Sequence, residues 1–116
     1  MQLLSKSDIL NMIRNYDVNV QLNELKKTAN YFLTEGVKKR TPWISVPGFG
    51  EESKEVQNKF IEELVAGGHE FYQTKDFAKF TTDEWAEIEE YVPTFKLIHQ
   101  INSKRNYILI RMPFEK

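Results

Sequence analysis

The sequence predicts an α+β fold: about four helices packed on a small, mostly antiparallel sheet ending in a C-terminal β-hairpin. Three observations carry this expectation. Apolar residues recur at helical spacing in several segments as far as Pro93. From Thr94 the spacing changes to a period of two. Proline and glycine collect between the periodic segments and not within them. The 116 residues form one domain, 1–116, with no internal repeat, low-complexity tract or linker.

Taken in order, the first helix starts at Ser5 or Ser7, because Ser5 and Asp8 have the spacing of a capping box. Ile9, Met12, Ile13 and Tyr16 form its stripe, and Asp17 to Asn19 breaks it. A second helix runs from Asn19 or Val20 to Glu35, with Leu22, Leu25, Ala29, Phe32 and Leu33 on one face and Gly36 as its C-terminal cap. Thr41 to Gly50 holds two prolines and two glycines in ten residues, which forbids a helix. Trp43, Ile44 and Val46 suit a short edge strand there, and Pro47-Gly48 the centre of a type II turn.

A third helix begins at Ser53 and buries Val56, Phe60, Ile61, Leu64 and Val65 before Gly67-Gly68 ends it. A short strand is expected at Glu70–Gln73 and a helical stub or turn at Lys75–Phe80. Thr81 and Glu84 make a second capping box. The fourth helix turns Trp85, Ile88, Tyr91 and Val92 inward and Asp83, Glu84, Glu87, Glu89 and Glu90 outward, and Pro93 stops it. Phe95, Leu97, His99 and Ile101 then alternate with Thr94, Lys96, Ile98 and Gln100, Asn102 to Asn106 form a turn, and Tyr107 to Met112 complete the hairpin.

Composition narrows the function classes. There is no cysteine, which excludes disulfide scaffolds and thiolate zinc sites. The start of the chain lacks the basic and apolar pattern of a signal peptide. No apolar run approaches the ~18 residues of a membrane span, so a cytoplasmic location is expected. Abundant Lys and Asn with few Ala match an AT-rich genome. The net charge is only −1, yet residues 1–50 carry +3, residues 51–90 carry −8 and residues 91–116 carry +4. That segregation either cancels in the fold or leaves a dipolar surface that steers a charged partner.

No motif points to a reaction, so no catalytic residue, cofactor or metal is assigned. His69 and His99 are the only histidines, and His99 falls with Phe95 and Leu97 on the inward face of its expected strand. The pairs Glu51/Glu52, Glu62/Glu63 and Glu89/Glu90 are helix neighbours that diverge by about 100°. Gly48-Phe49-Gly50 lacks the Lys-Ser or Lys-Thr of a phosphate loop and is followed by two glutamates.

Two surfaces remain as candidates for partner binding. One is the Pro/Gly-stiffened loop with Trp43, Ile44, Val46 and Phe49, since aromatic residues on a low-entropy backbone dominate interface energetics. The other is the acidic helix face of Asp83, Glu84, Glu87 and Glu90, a match for a basic surface. The expectation is a non-enzymatic protein-interaction module: an adaptor, regulator or inhibitor of the kind that phage and plasmids encode. The alternative is nucleic-acid binding through Lys38, Lys39 and Arg40 together with Lys104, Arg105 and Arg111. Against it stands a sequence pI of about 6.1. An enzyme of unassigned reaction is the second alternative. A homodimer has two routes, an exposed sheet edge or Trp43 packed against a mate.

Overall fold

The structure is a computed structural model that describes residues 2–102 and 104–114. The α+β class is shown: the four longer helices pack around a three-stranded antiparallel sheet that includes a C-terminal strand. We label the elements α1 (Lys6–Lys39), β1 (Trp43–Ser45), α2 (Lys54–Ala66), β2 (Glu70–Gln73), α3 (Thr82–Tyr91), α4 (Phe95–Ile101) and β3 (Ile108–Arg111). Short 3₁₀ turns occupy Phe49–Glu51 and Thr74–Lys79.

The sheet order is β1-β3-β2, with β3 antiparallel to both neighbours. Its central place explains its sequence. Ile108, Leu109 and Ile110 are all buried because both faces of the strand are covered. Alternation sends them to opposite sides. Ile108 and Ile110 join Ile44, Val46, Val56, Phe60 and, from α1, Val18, Leu22, Leu25 and Ala29 in one cluster. Leu109 joins Trp43, Phe77, Ile88 and Phe95 in a second. The sheet is therefore the middle layer, with α1 and α2 on one side and α3 and α4 on the other.

Local signals behave as expected. Ser5 caps α1 with a complete capping box, Ser53 caps α2, and Thr81 and Glu84 form the capping box of α3. β2 spans Glu70–Gln73, and Gly48 takes φ 87° and ψ −15°, the conformation of the third residue of a type II turn.

Three expectations are corrected. First, the two N-terminal helices are one: α1 runs unbroken for 34 residues, about 51 Å of helix. Nothing from Ser5 to Glu35 is Gly or Pro, and the small propensity cost of Asp17 and Asn19 does not stop a helix. Gly36 lies inside it, buried, and the left-handed cap is Arg40 at φ 52°. Second, the first arm of the hairpin is the helix α4. β3 already has a strand on each side, so no edge is left for a third partner. Phe95 and His99, four apart, instead turn towards Phe77 and Tyr107, and Leu97 is exposed. Of the polar link that follows, Ser103 lies outside the described residues. Third, Val65 and Tyr91 face solvent.

Candidate functional site

The register of the sheet sets out the site. Across its α3 side, Arg111 of β3 is flanked by Trp43 of β1 and Glu70 of β2. The next row on that side holds Ser45, Leu109 and Tyr72. α3 lies over this face, because Ile88 is fully buried in the same cluster as Trp43 and Leu109. Its inner turns therefore bring Asp83, Glu84 and Glu87 over the Trp43–Arg111–Glu70 row. The result is a cleft of about 350 Å³ lined by Trp43, Glu70, Tyr72, Asp83, Glu84, Glu87 and Arg111.

One carboxylate oxygen holds its floor. Glu87 Oε1 accepts from the Trp43 indole Nε1–H at 2.9 Å and from Arg111 Nη1 at 3.0 Å. The Arg111 guanidinium lies 4.7 Å from the centre of the Trp43 ring. The Arg111 and Glu87 side chains are only about a quarter exposed, at 24% and 26%, so this pair is partly shielded from solvent. Glu84 accepts from the backbone N–H of Thr81, which fixes its direction at the mouth. Burial pushes the Tyr72 phenol above its ordinary value, and the Glu70 carboxylate adds to the rise through its charge and a hydrogen bond, so Tyr72 stays protonated. Four carboxylates against one guanidinium leave the lining with an excess of negative charge.

The sequence candidates divide as follows. The stiffened loop does not present its aromatic residues: Trp43, Ile44, Val46 and Phe49 are all buried, and Phe49 packs on Phe60. This corrects the loop as a contact surface. The reason is that Trp43 and Ile44 sit in a strand covered on both sides. Asp83, Glu84 and Glu87 come together in the cleft, whereas Glu90 lies in a neighbouring groove with Arg40, Pro42 and Phe114. Glu70 and Tyr72 were not singled out from the sequence. Their signal is strand register, which no local pattern carries.

The basic residues do not form one face. Arg111 is committed to Glu87 inside the cleft, and Arg105 pairs with Glu51 at 3.2 Å. Lys38 and Lys39 both approach Glu35, and Arg40 stacks 4.9 Å over the Phe114 ring. Lys104 is exposed. His99 sets its ring edge-on to Phe77 with Nδ1 buried and unpartnered, so it is packed but not hydrogen-bonded through that nitrogen. Among the described residues no group of three or more His, Asp and Glu is placed to hold a metal ion. No helix among them is long and apolar enough to cross a membrane. Comparison with family models, curated proteins and solved structures finds no match to this chain.

Proposed function

We propose that this chain is a non-enzymatic protein-interaction module, an adaptor, regulator or inhibitor, that receives a basic side chain of its partner in the acidic cleft. The observation that carries the reading is the Glu87 oxygen shared by Trp43 and Arg111. It locks an aromatic and a cationic group into a rigid floor, while Asp83, Glu84 and Glu70 stand around the mouth. Such a site is preorganised, so a lysine or arginine entering it orders few host side chains. A cleft rich in carboxylates also attracts a basic partner over distance. Its chemistry is that of recognition: it offers carboxylate acceptors and a protonated phenol above a floor closed by the buried Trp43.

The nucleic-acid alternative has weaker support, since most of its cations already hold acidic or aromatic neighbours. A hexa-arginine peptide is the direct probe of the cleft, with tryptophan fluorescence as readout. Saturable binding is expected, weakened about tenfold in Asp83→Lys/Glu70→Lys and weakened further by added salt. Equal binding by the native chain and the double variant removes the cleft from the proposal.

A further inference from the structure

The first three turns of α1, as far as Asp17, are exposed, and they reach the body at an ion pair of Arg14 with Glu55 of α2 at 2.9 Å, on the core side of the helix. All residues from 2 to 17 are exposed, and Val18 is the first buried one. The molecule measures 62 × 30 × 18 Å, and this arm accounts for about 18 Å of helix. Its outer surface is not polar. Ile9, Met12, Ile13, Tyr16 and Val20 are all exposed, Tyr16 at 69%. At about 100° per residue they share one stripe, roughly opposite Val18, Leu22, Leu25 and Ala29, which face the core. One helix thus carries two apolar faces, one used by the body and one unused.

We propose that a second copy of this chain covers the stripe, with the two α1 arms paired antiparallel about a twofold axis near residues 14 and 15. Three features select this occupant. The stripe matches itself: antiparallel alignment sets Ile9 against Val20 and Ile13 against Tyr16 of the other copy, and beyond Val20 the outer face turns polar at Asn23, Lys27 and Asn30. Its charges agree as well. Lys6 and Glu24 lie on the same flank of the helix, so the antiparallel pair brings each Lys6 close to the other copy's Glu24, twice. Parallel pairing would leave each Lys6 at the opposite end of the stripe from the other copy's Glu24, about 27 Å along the helix, and lose this match. Finally, the body packs on the opposite side of α1, so a second helix meets no obstruction. At roughly 100 Å² for each half-exposed large side chain, complete cover of the five stripe residues on both copies buries about 1,000 Å², the threshold that a biological interface has to clear.

This inference is independent of the acidic cleft. Light scattering from micromolar to submillimolar concentration is expected to show the native chain at twice the mass of one copy, with a Tm that rises with concentration. Ile13→Lys/Tyr16→Lys, at positions already exposed, should be monomeric with an unchanged circular dichroism spectrum. Lys6→Glu should weaken the dimer about two- to fivefold, and adding Glu24→Lys should restore it. Mixing an Ile9→Cys chain with a Val20→Cys chain should give disulfides between unlike chains. A monomeric native chain overturns the pairing, as does a dimer that survives the double lysine change. Disulfides between like chains overturn the antiparallel arrangement. Protection of the stripe only in the presence of phosphatidylglycerol vesicles assigns it to a membrane surface instead and overturns the proposal.

Discussion

The indole nitrogen of Trp43 donates to the carboxylate of Glu87 across 2.9 Å, tying an edge strand to the helix that covers it. Arg111 completes the arrangement from the central strand by bonding the same oxygen. Removing Glu87 strands two donors at once. The Glu87→Ala chain is expected to lose about 2–3 kcal/mol in urea denaturation, since hydrogen bonds to a charged group are among the costlier to lose. Trp43→Phe loses the indole donor, about 1 kcal/mol, and also the volume of one ring at a buried site, so it should cost more than the hydrogen bond alone. A Glu87→Ala chain as stable as the native one would show that this carboxylate does not hold β1 and α3 together.

The continuity of α1 makes a separate prediction. Asn19 is exposed, so replacing it tests the backbone and not packing. Proline there would remove one hydrogen bond and clash with the carbonyl four residues earlier. Asn19→Pro should therefore cost about 3 kcal/mol and lower the helical circular dichroism signal. A chain with a loop at Asp17–Asn19 would accept the change with little loss.

Why the sequence suggested that loop is instructive. The stripe of Ile9, Met12, Ile13 and Tyr16 and the stripe of Val18, Leu22, Leu25 and Ala29 are each regular, but they lie on opposite faces. A half-turn change of phase reads like a chain break when only one buried face is assumed. It is instead a change in which face the molecule uses. The C-terminal hairpin failed for a different reason. Seven residues, Phe95–Ile101, satisfy both alternation and the i, i+4 pairing of Phe95 with His99. The choice between them depends on whether β3 has a free edge, and that is a property of the whole sheet.

Helix starts and one turn, signals that act within four residues, were legible at Ser5, Ser53, Thr81 and Gly48, whereas Gly36, a cap by the same local reading, lies inside α1. The site was legible in half. The acidic face of α3 could be seen from spacing, but its union with Trp43, Glu70 and Arg111 depends on strand register and on where α3 crosses.

Tyr72 predicts a pH dependence. Its phenol is raised above the ordinary value of 10.0, by burial first and by Glu70 second. The unfolded chain therefore gives up this proton at lower pH than the folded one. The contribution is fully present below about pH 10 and is lost as pH rises through the folded value. Urea midpoints should fall more steeply above pH 10 for the native chain than for Tyr72→Phe. Parallel curves for the two would contradict the assignment.

Two glycines of one loop should fail for different reasons. Gly48 has open space where a Cβ would go but sits at φ 87°. Gly48→Ala should cost about 1 kcal/mol through backbone strain, and Gly48→Asn less, because asparagine tolerates the left-handed region. Gly50 has the opposite problem. A Cβ there would lie 2.6 Å from the Asn106 carbonyl oxygen and 2.5 Å from the Arg105 side chain. Arg105 can swing away, but Asn106 cannot easily follow. Its side-chain amide donates to Gln57 at 3.2 Å and to Gln73 at 2.9 Å, and the buried Gln57 donates in turn to the Glu52 carbonyl at 3.1 Å. Moving Asn106 loosens the join between α2, β2 and the entry to β3. Gly50→Ala should thus cost about 1–3 kcal/mol, and Gly50→Asn should be worse, the reverse of the order at Gly48. Thermal melts of the four variants check this, and a Gly50→Asn chain more stable than Gly50→Ala would show that the Asn106 lock yields without cost.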